Sequence, residues 1–274
     1  RARPTRLLSK ARRMNRVAIV TGAARGIGAA TVDALVNENY RVVAVDRCRD
    51  IPDVPYALAT PADLEAVVAR HGDSVLGLVG DVRSATDMGL AVETATRHFG
   101  RLDAVVACAG VLGGGAALWE VGDAAWDAVW SVNVLGTRRL IEAAAPVLIA
   151  NGRDSNPRVI AVASAAGRTG LYHLAAYSAA KHAVVGLIRG VAMDLAQYGV
   201  TANAVSPGST RTAILDASAK VYGLDSVETF ADQQPIGRLL EPSEVAAAIV
   251  WLCSAAASAI TGADIAVDGG MTVS

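Results

Sequence analysis

Cysteine is scarce in this chain: Cys48, Cys108 and Cys253 are the three in 274 residues, widely separated and without a Cys-x-x-Cys pair. That pattern argues against a disulfide framework and a structural zinc site, and it is the usage expected in a reducing cytoplasm. His71, His98, His173 and His182 have no metal-ligand spacing among themselves or with the cysteines, so no metal site is expected. Aromatic residues make up only 4%, too few for an aromatic-cored β-sandwich. Long hydrophobic runs are missing too. The stretch Val245 to Cys253 falls far short of the roughly 18 residues that span a bilayer, so no membrane span is expected. No internal repeat or low-complexity linker divides the chain.

Net charge is close to zero, at −1, but it is unevenly spread. Residues 1–13 hold Arg1, Arg3, Arg6, Lys10, Arg12 and Arg13 with no acid, which leaves an acidic body downstream. We expect this stretch to be a disordered extension, or a start placed upstream of Met14, rather than an arm for nucleic acid or lipid. No apolar signal-peptide core follows Arg12 and Arg13. Trp119, Trp126 and Trp130 stand at helical spacing and are expected in a core or subunit interface rather than stacked on a nucleic-acid base.

What the chain does have is 53% hydrophobic residues and 26 glycines, enough for one domain with a substantial core and many tight turns. From Arg16 onward, short β-branched runs alternate with longer amphipathic segments. Strands are expected at Val17–Thr21, Arg41–Asp46, Val75–Gly80, Leu102–Ala107, Val159–Ala163, Thr201–Ser206 and Asp264–Val267. Helices are expected at about 26–38, 84–98, 123–150, 175–198 and 242–254. Val17-Ala18-Ile19-Val20 and Ala104-Val105-Val106-Ala107 are continuous apolar runs, as parallel strands buried on both faces require. The expected fold is therefore α/β, a doubly wound parallel sheet of about seven strands flanked by helices. Segments 47–73 and 209–240 break the alternation and are candidates for elements that cover a ligand.

The first strand runs into Thr21-Gly22-Ala23-Ala24-Arg25-Gly26-Ile27-Gly28, where a helix begins. Glycines there allow a sharp turn and close approach to a pyrophosphate, whose charge the helix N-terminus attracts. The second strand ends at Asp46, 18 residues after Gly28, placed to accept hydrogen bonds from adenosine ribose hydroxyls. A carboxylate there repels a 2′-phosphate and favours NAD over NADP, with Arg47 and Arg49 partly offsetting the repulsion. Asp81-Val82 closes the third strand at the expected adenine edge, and Ala109-Gly110 follows the fourth beside the cofactor; Asp81 also reads as a helix N-cap.

In Tyr177-Ser178-Ala179-Ala180-Lys181 a phenol and an ammonium lie one helical turn apart on one face. Bringing a phenol from its reference pKa of about 10 to neutrality needs about 3 units, roughly 4 kcal/mol. A cation about 4 Å away at an effective dielectric near 20 supplies about that much, so Lys181 is expected to lower the Tyr177 pKa. Ser164 stands 13 residues before Tyr177 at the end of the fifth strand, and Asn133 lies in a helix whose strand partner ends at the same pocket. No G-x-S-x-G elbow surrounds Ser164, which argues against a hydrolase.

Together Thr21–Gly28, Asp81, Asn133, Ser164, Tyr177, Lys181, Pro207-Gly208 with Thr212, and Asp268-Gly269-Gly270 resemble the short-chain dehydrogenase/reductase family over residues 14–274. The resemblance implies a Rossmann-type sheet, Tyr177 as acid/base, Ser164 hydrogen-bonded to the reacting oxygen, Lys181 on the nicotinamide ribose and Asn133 anchoring a water relay. It also implies contacts to the cofactor from Pro207, Gly208, Thr210 and Thr212, and a homotetramer. Where the family usually has Asn-Asn-Ala-Gly, this chain has Ala107-Cys108-Ala109-Gly110. Val54 to Leu64, within 47–73, resembles the insertion of a subgroup associated with the redox peptide mycofactocin, which implies an alcohol dehydrogenase whose covered NAD is reoxidised in place.

The expectation is reversible hydride transfer between NAD and a hydrophobic alcohol, ketone or aldehyde, with 209–240 closing over the substrate. Leu112, Trp119, Leu171, Tyr172, His173 and Ile214 are the candidate substrate contacts. The alternatives are an NADP-dependent ketone or acyl-group reductase, and a sensor or scaffold that binds a dinucleotide without turnover.

Overall fold

Val17 and Ile19 point into one apolar cluster and Ala18 and Val20 into another, so the first strand is buried on both faces. That period-two division builds a three-layer molecule. The structure is a computed structural model that describes residues 15–273; the basic stretch 1–13 lies outside them. In chain order the elements are β1 Arg16–Thr21, α1 Gly26–Asn37, β2 Tyr40–Asp46, α2 Pro61–Ala69, β3 Val75–Val79, α3 Ala85–Phe99, β4 Ala104–Ala107, α4 Asp123–Trp130, α5 Thr137–Asn151, β5 Arg158–Val162, α6 Ala175–Ala196, β6 Thr201–Pro207, α7 Ala213–Val221, α8 Pro242–Cys253 and β7 Asp264–Val267.

The seven strands are all parallel, in the order β3-β2-β1-β4-β5-β6-β7. One face carries α3, α5 and α6 through residues such as Met88, Leu140 and Ile188. The other carries α1, α2 and α8 through Val32, Leu64 and Ile249. This is a Rossmann-type doubly wound sheet, and its strand order reverses between β1 and β4, where the strand ends leave a crevice for a ligand. Among the described residues no helix is long and apolar enough to cross a membrane.

Two differences from the sequence expectation bear on the site. Segments 47–73 and 209–240 contain the helices α2 and α7. α2 starts in a capping box, with the Thr60 hydroxyl on the Asp63 amide, the Asp63 carboxylate on the Thr60 amide, and Pro61 in the first turn. The helix expected at 123–150 is present as one continuous helical run but is not uniform. Between α4 and α5 the turn Ser131–Gly136 widens to π geometry around Asn133, whose side chain is bound to the backbone of another loop.

Candidate functional site

The C-terminal ends of β1, β2, β4, β5 and β6 open onto a cavity of about 270 Å³. At its β1–β2 end, Gly22 and Gly26 adopt positive φ, +64° and +57°. A Cβ on Gly28 would lie 1.9 Å from the Gly22 carbonyl oxygen. The turn therefore presents bare backbone, and the first-turn amides of α1 face the cavity wall formed by Gly22, Arg25, Gly26, Ile27 and Gly28.

Asp46 also lines the cavity. Its carboxylate accepts the Ala24 and Cys48 amides, both at 3.1 Å, which orients it while leaving acceptor capacity for further donors. Arg47 is spent elsewhere: its Nε lies 2.9 Å from the Asp81 carboxylate and its Nη1 donates to the carbonyls of Arg49 and Asp50. Arg83 adds a second guanidinium to Asp81, at 2.7 Å. Burial alone would raise the Asp81 carboxyl, but the Arg83 hydrogen bonds, with the charges of Arg83 and Arg47, hold it below the usual carboxylate range. The N-cap of α3 is Ser84, not Asp81. Asp81 and Val82 line the cavity near its β2–β3 edge.

At the other end Ser164, Tyr177 and Lys181 share the cavity with Ala109, Gly110, Pro207, Gly208, Thr210 and Thr212. Ser164 Oγ accepts the Ala166 amide at 3.1 Å, which aims the hydroxyl at the head of α6. Lys181 is buried and its ammonium donates to the Val162 carbonyl at 2.9 Å, 5.6 Å from the centre of the Tyr177 ring. Asn133 does not line the cavity. Its side chain bonds Val111 in both directions, Oδ1 from the amide at 2.8 Å and Nδ2 to the carbonyl at 2.9 Å, while its own carbonyl accepts from the Thr137 hydroxyl.

The expected lowering of the tyrosine by Lys181 is not what this geometry produces. Burial pushes the Tyr177 phenol up to about 12, with Ser164 pulling it back and Tyr56 adding to the rise. Burial likewise pulls the Lys181 ammonium down to about 8. Desolvation penalises both charged forms, and the ammonium spends its contact on a carbonyl rather than on the phenol.

Burial of its charged form therefore makes Lys181 oppose folding below pH 8. Between about 8 and its ordinary 10.5 the unfolded chain holds more of that proton, so native stability rises with pH across this window. Lys181→Met is expected to melt no lower than the native protein at pH 7, with the native protein gaining on it up to pH 10.5. Thermal melts of both across that range check this; a pH-independent gap counts against it.

The candidate substrate contacts divide. Leu112, Leu171 and Ile214 line the cavity; Trp119, Tyr172 and His173 do not. Trp119 is 87% exposed, and Trp126 and Trp130 stack on each other at 6.4 Å. His173 takes φ +57°, its carbonyl accepts the Gly115 amide, and its ring stacks on the exposed Tyr172. That left-handed turn directs both side chains away from the cavity. The sequence reading missed Leu174, Leu215, Ser218, Tyr222, Phe230 and Met271, which complete the apolar half. Most come from the aperiodic 209–240 segment, where only a tertiary contact shows which residues face inward. Cys108 also lines the cavity, and burial pushes its thiol up to about 12, so it is held as the neutral thiol.

Residues 22–272 match a family model described as enoyl-(acyl carrier protein) reductase. The chain is 38% identical over 259 residues to a cis-4-hydroxycyclohexanecarboxylate dehydrogenase of Sinomonas cyclohexanicum, covering 94% of this chain and 96% of that one. Among solved structures it is similar to a carveol dehydrogenase from Mycobacterium avium in complex with NAD, with a TM-score of 0.90 and 27% identity over 94% of this chain and 98% of that one. A short-chain dehydrogenase from Mycobacterium paratuberculosis bound to NAD matches with a TM-score of 0.85 and 31% identity, at the same coverage.

Proposed function

The chain belongs to the short-chain dehydrogenase/reductase family, and on that premise we propose that it is an NAD-dependent dehydrogenase of uncharged, hydrophobic alcohols with Tyr177 as its acid/base. The observation that carries this reading is one cavity joining a bare glycine turn and an oriented Asp46 to Ser164, Tyr177 and Lys181.

The residues fit NAD. Gly22 to Gly28 form the pyrophosphate cradle, Asp46 takes the adenosine ribose hydroxyls, and Asp81 and Val82 flank the adenine. Ala109, Gly110, Pro207, Gly208, Thr210 and Thr212 flank the nicotinamide half, with Lys181 on its ribose. Arg47, held by Asp81 and two carbonyls, offers little to a 2′-phosphate. When bound, NAD supplies the hydride acceptor and a positive ring beside Tyr177 and Lys181.

Ser164 donates to the substrate oxygen and Tyr177 takes its proton, a task for which the phenol must ionise. Asn133 acts through Val111, fixing the backbone beside Gly110. Past Tyr177 the walls are Leu112, Leu171, Leu174, Ile214, Leu215, Tyr222 and Phe230, none of them charged. A carboxylate or phosphate on the substrate would enter that half without a counter-ion, at a cost of several kcal/mol, which favours a neutral cyclic or terpenoid-like alcohol over an acyl-carrier thioester. Turnover of such alcohols with NAD, and far weaker turnover of carboxylate analogues of the same shape, tests the substrate class.

Segment 47–73 covers the cofactor and 209–240 forms the lid over substrate. Support comes from Ile51, Leu58 and Ala59, which line the cavity on the Asp46 side, and from Ile214, Tyr222 and Phe230 on the other. With the cofactor so covered, the reading extends to retained NAD reoxidised by a mycofactocin-type peptide, in a cytoplasmic homotetramer to which exposed Met193 on α6 supplies apolar contact area. Near-stoichiometric NAD released on denaturing extensively dialysed protein supports retention; an empty protein returns the reading to freely exchanging NAD.

Asp46→Ser removes the charged acceptor, so kcat/KM with NAD is expected to fall about tenfold to a hundredfold, from about 1.5–3 kcal/mol for hydrogen bonds to a charged group. NADP turnover should gain relative to NAD. Steady-state kinetics with both cofactors check this, and a preserved NAD preference would assign the selectivity to other residues.

A further inference from the structure

β4 ends at Ala107, and beyond it the amides of Ala109, Val111 and Leu112 do not bond to a neighbouring strand. Three side chains from distant elements take them instead. Thr21 Oγ1 accepts the Ala109 amide at 3.3 Å, Asn133 Oδ1 the Val111 amide at 2.8 Å, and Tyr56 Oη the Leu112 amide at 3.0 Å. Thr21 and Asn133 belong to the family pattern; Tyr56 comes from the inserted segment between β2 and α2.

The Tyr56 ring is packed against two clusters at once. One is the main core beneath β1 and β4, and the other is the small cluster of Leu112, Ala166, Leu174, Tyr177 and Ala217 around the reacting centre. The insertion itself is braced by the Leu58 amide on the Asp50 carboxylate at 2.7 Å and by Val54 on the Ile51 carbonyl. Leu112 is 2% exposed and walls the substrate half of the cavity.

We propose that Tyr56 is a positioning residue for substrate selection: its phenol clamps the Leu112 backbone, so that the segment walling the cofactor side also sets the substrate wall. Tyr56 acts on the substrate through Leu112, whose side chain is held at fixed depth only while its amide has this partner. The proposal rests on the alcohol dehydrogenase reading for its kinetic consequence, but the clamp itself is independent of turnover.

Tyr56→Phe keeps the ring in both clusters and removes only the oxygen. Hydrogen–deuterium exchange of the 108–114 segment is expected to quicken about tenfold at Leu112, matching the loss of one hydrogen bond of ordinary strength. The kcat/KM ratio of cyclohexanol to 2-propanol should fall about tenfold, because the bulkier ring depends on the Leu112 wall. In a Leu112→Ala background the same substitution should leave that ratio unchanged, the sign of action through one contact. Unchanged exchange overturns the clamp whether or not either alcohol is turned over. Quickened exchange with an unchanged ratio overturns the role in selection. A native protein that oxidises neither alcohol strikes the dehydrogenase reading and leaves exchange to decide the clamp.

Discussion

Tyr177→Phe is expected to lower kcat at least a thousandfold while leaving the fold and NAD affinity close to native. A positioned acid/base contributes typically 10²–10⁴-fold, and among the cavity-lining residues near Ser164 no other side chain is as well placed for that proton. Lys181 is turned onto the Val162 carbonyl, Ser164 has no reason to ionise, and the Cys108 thiol is held neutral by burial. The phenylalanine ring fills the same volume among Leu112, Ala166 and Leu174, so stability should change by less than about 1 kcal/mol. Circular dichroism and a fluorescence titration with NADH establish the intact fold and site; steady-state assay reads the loss. A variant that keeps more than a tenth of native turnover removes Tyr177 from the proton transfer. A native protein that binds NADH but turns over nothing favours the sensor alternative.

Gly28→Ala is the second large effect, and it acts on the cofactor instead of the proton. The added Cβ would lie 1.9 Å from the Gly22 carbonyl oxygen, 2.7 Å from its carbon and 3.2 Å from the Ala23 Cα, all of them backbone. No rotamer change relieves that contact. The turn must open, costing several kcal/mol of stability and an NAD affinity loss of about a hundredfold or more, since each 1.4 kcal/mol is a factor of ten. Gly89, exposed on α3 with nothing within 4 Å of an added Cβ, is the control. There alanine should stabilise by about 0.5–1 kcal/mol through helix propensity alone. Calorimetric titration of NAD and thermal melts of both variants read the contrast. Equal behaviour of the two would mean the turn is not the cradle assigned to it.

Most of the frame was legible because it rests on local periods. The apolar runs at β1 and β4 marked strands buried on both faces, whereas the N-cap read at Asp81 stands at Ser84. α2 was not among the expected helices, although Thr60-Pro61-x-Asp63 spells a capping box, because the segment around it broke the strand–helix rhythm. α7 carried no such signal. The π turn at Asn133 depends on the Val111 backbone, 22 residues away, and no helical pattern contains that information.

For the site, spacing along one element was enough to find the glycine turn, Asp46 and the Tyr177–Lys181 pair, because 3.6 residues per turn and the end of a strand are properties of the chain itself. Direction and environment were not. Trp119, Tyr172 and His173 were placed at the pocket by sequence position, yet Trp119 is largely exposed and none of the three lines the cavity. Tyr222 and Phe230 enter because α7 and the turn after it fold back over the strand ends. The Tyr177 pKa was anticipated to fall and instead rises to about 12, since desolvation counts every neighbour that packs around a group and sequence spacing counts only one. The amino-acid sequence by itself marked the seven strands, the helices α1, α3, α6 and α8, and the residues from the glycine turn to the Tyr177–Lys181 pair that line one cavity. The tertiary structure alone decided which side chains face the cavity, which cations are already spent, and how burial sets their charge, because those depend on contacts between residues far apart in the chain.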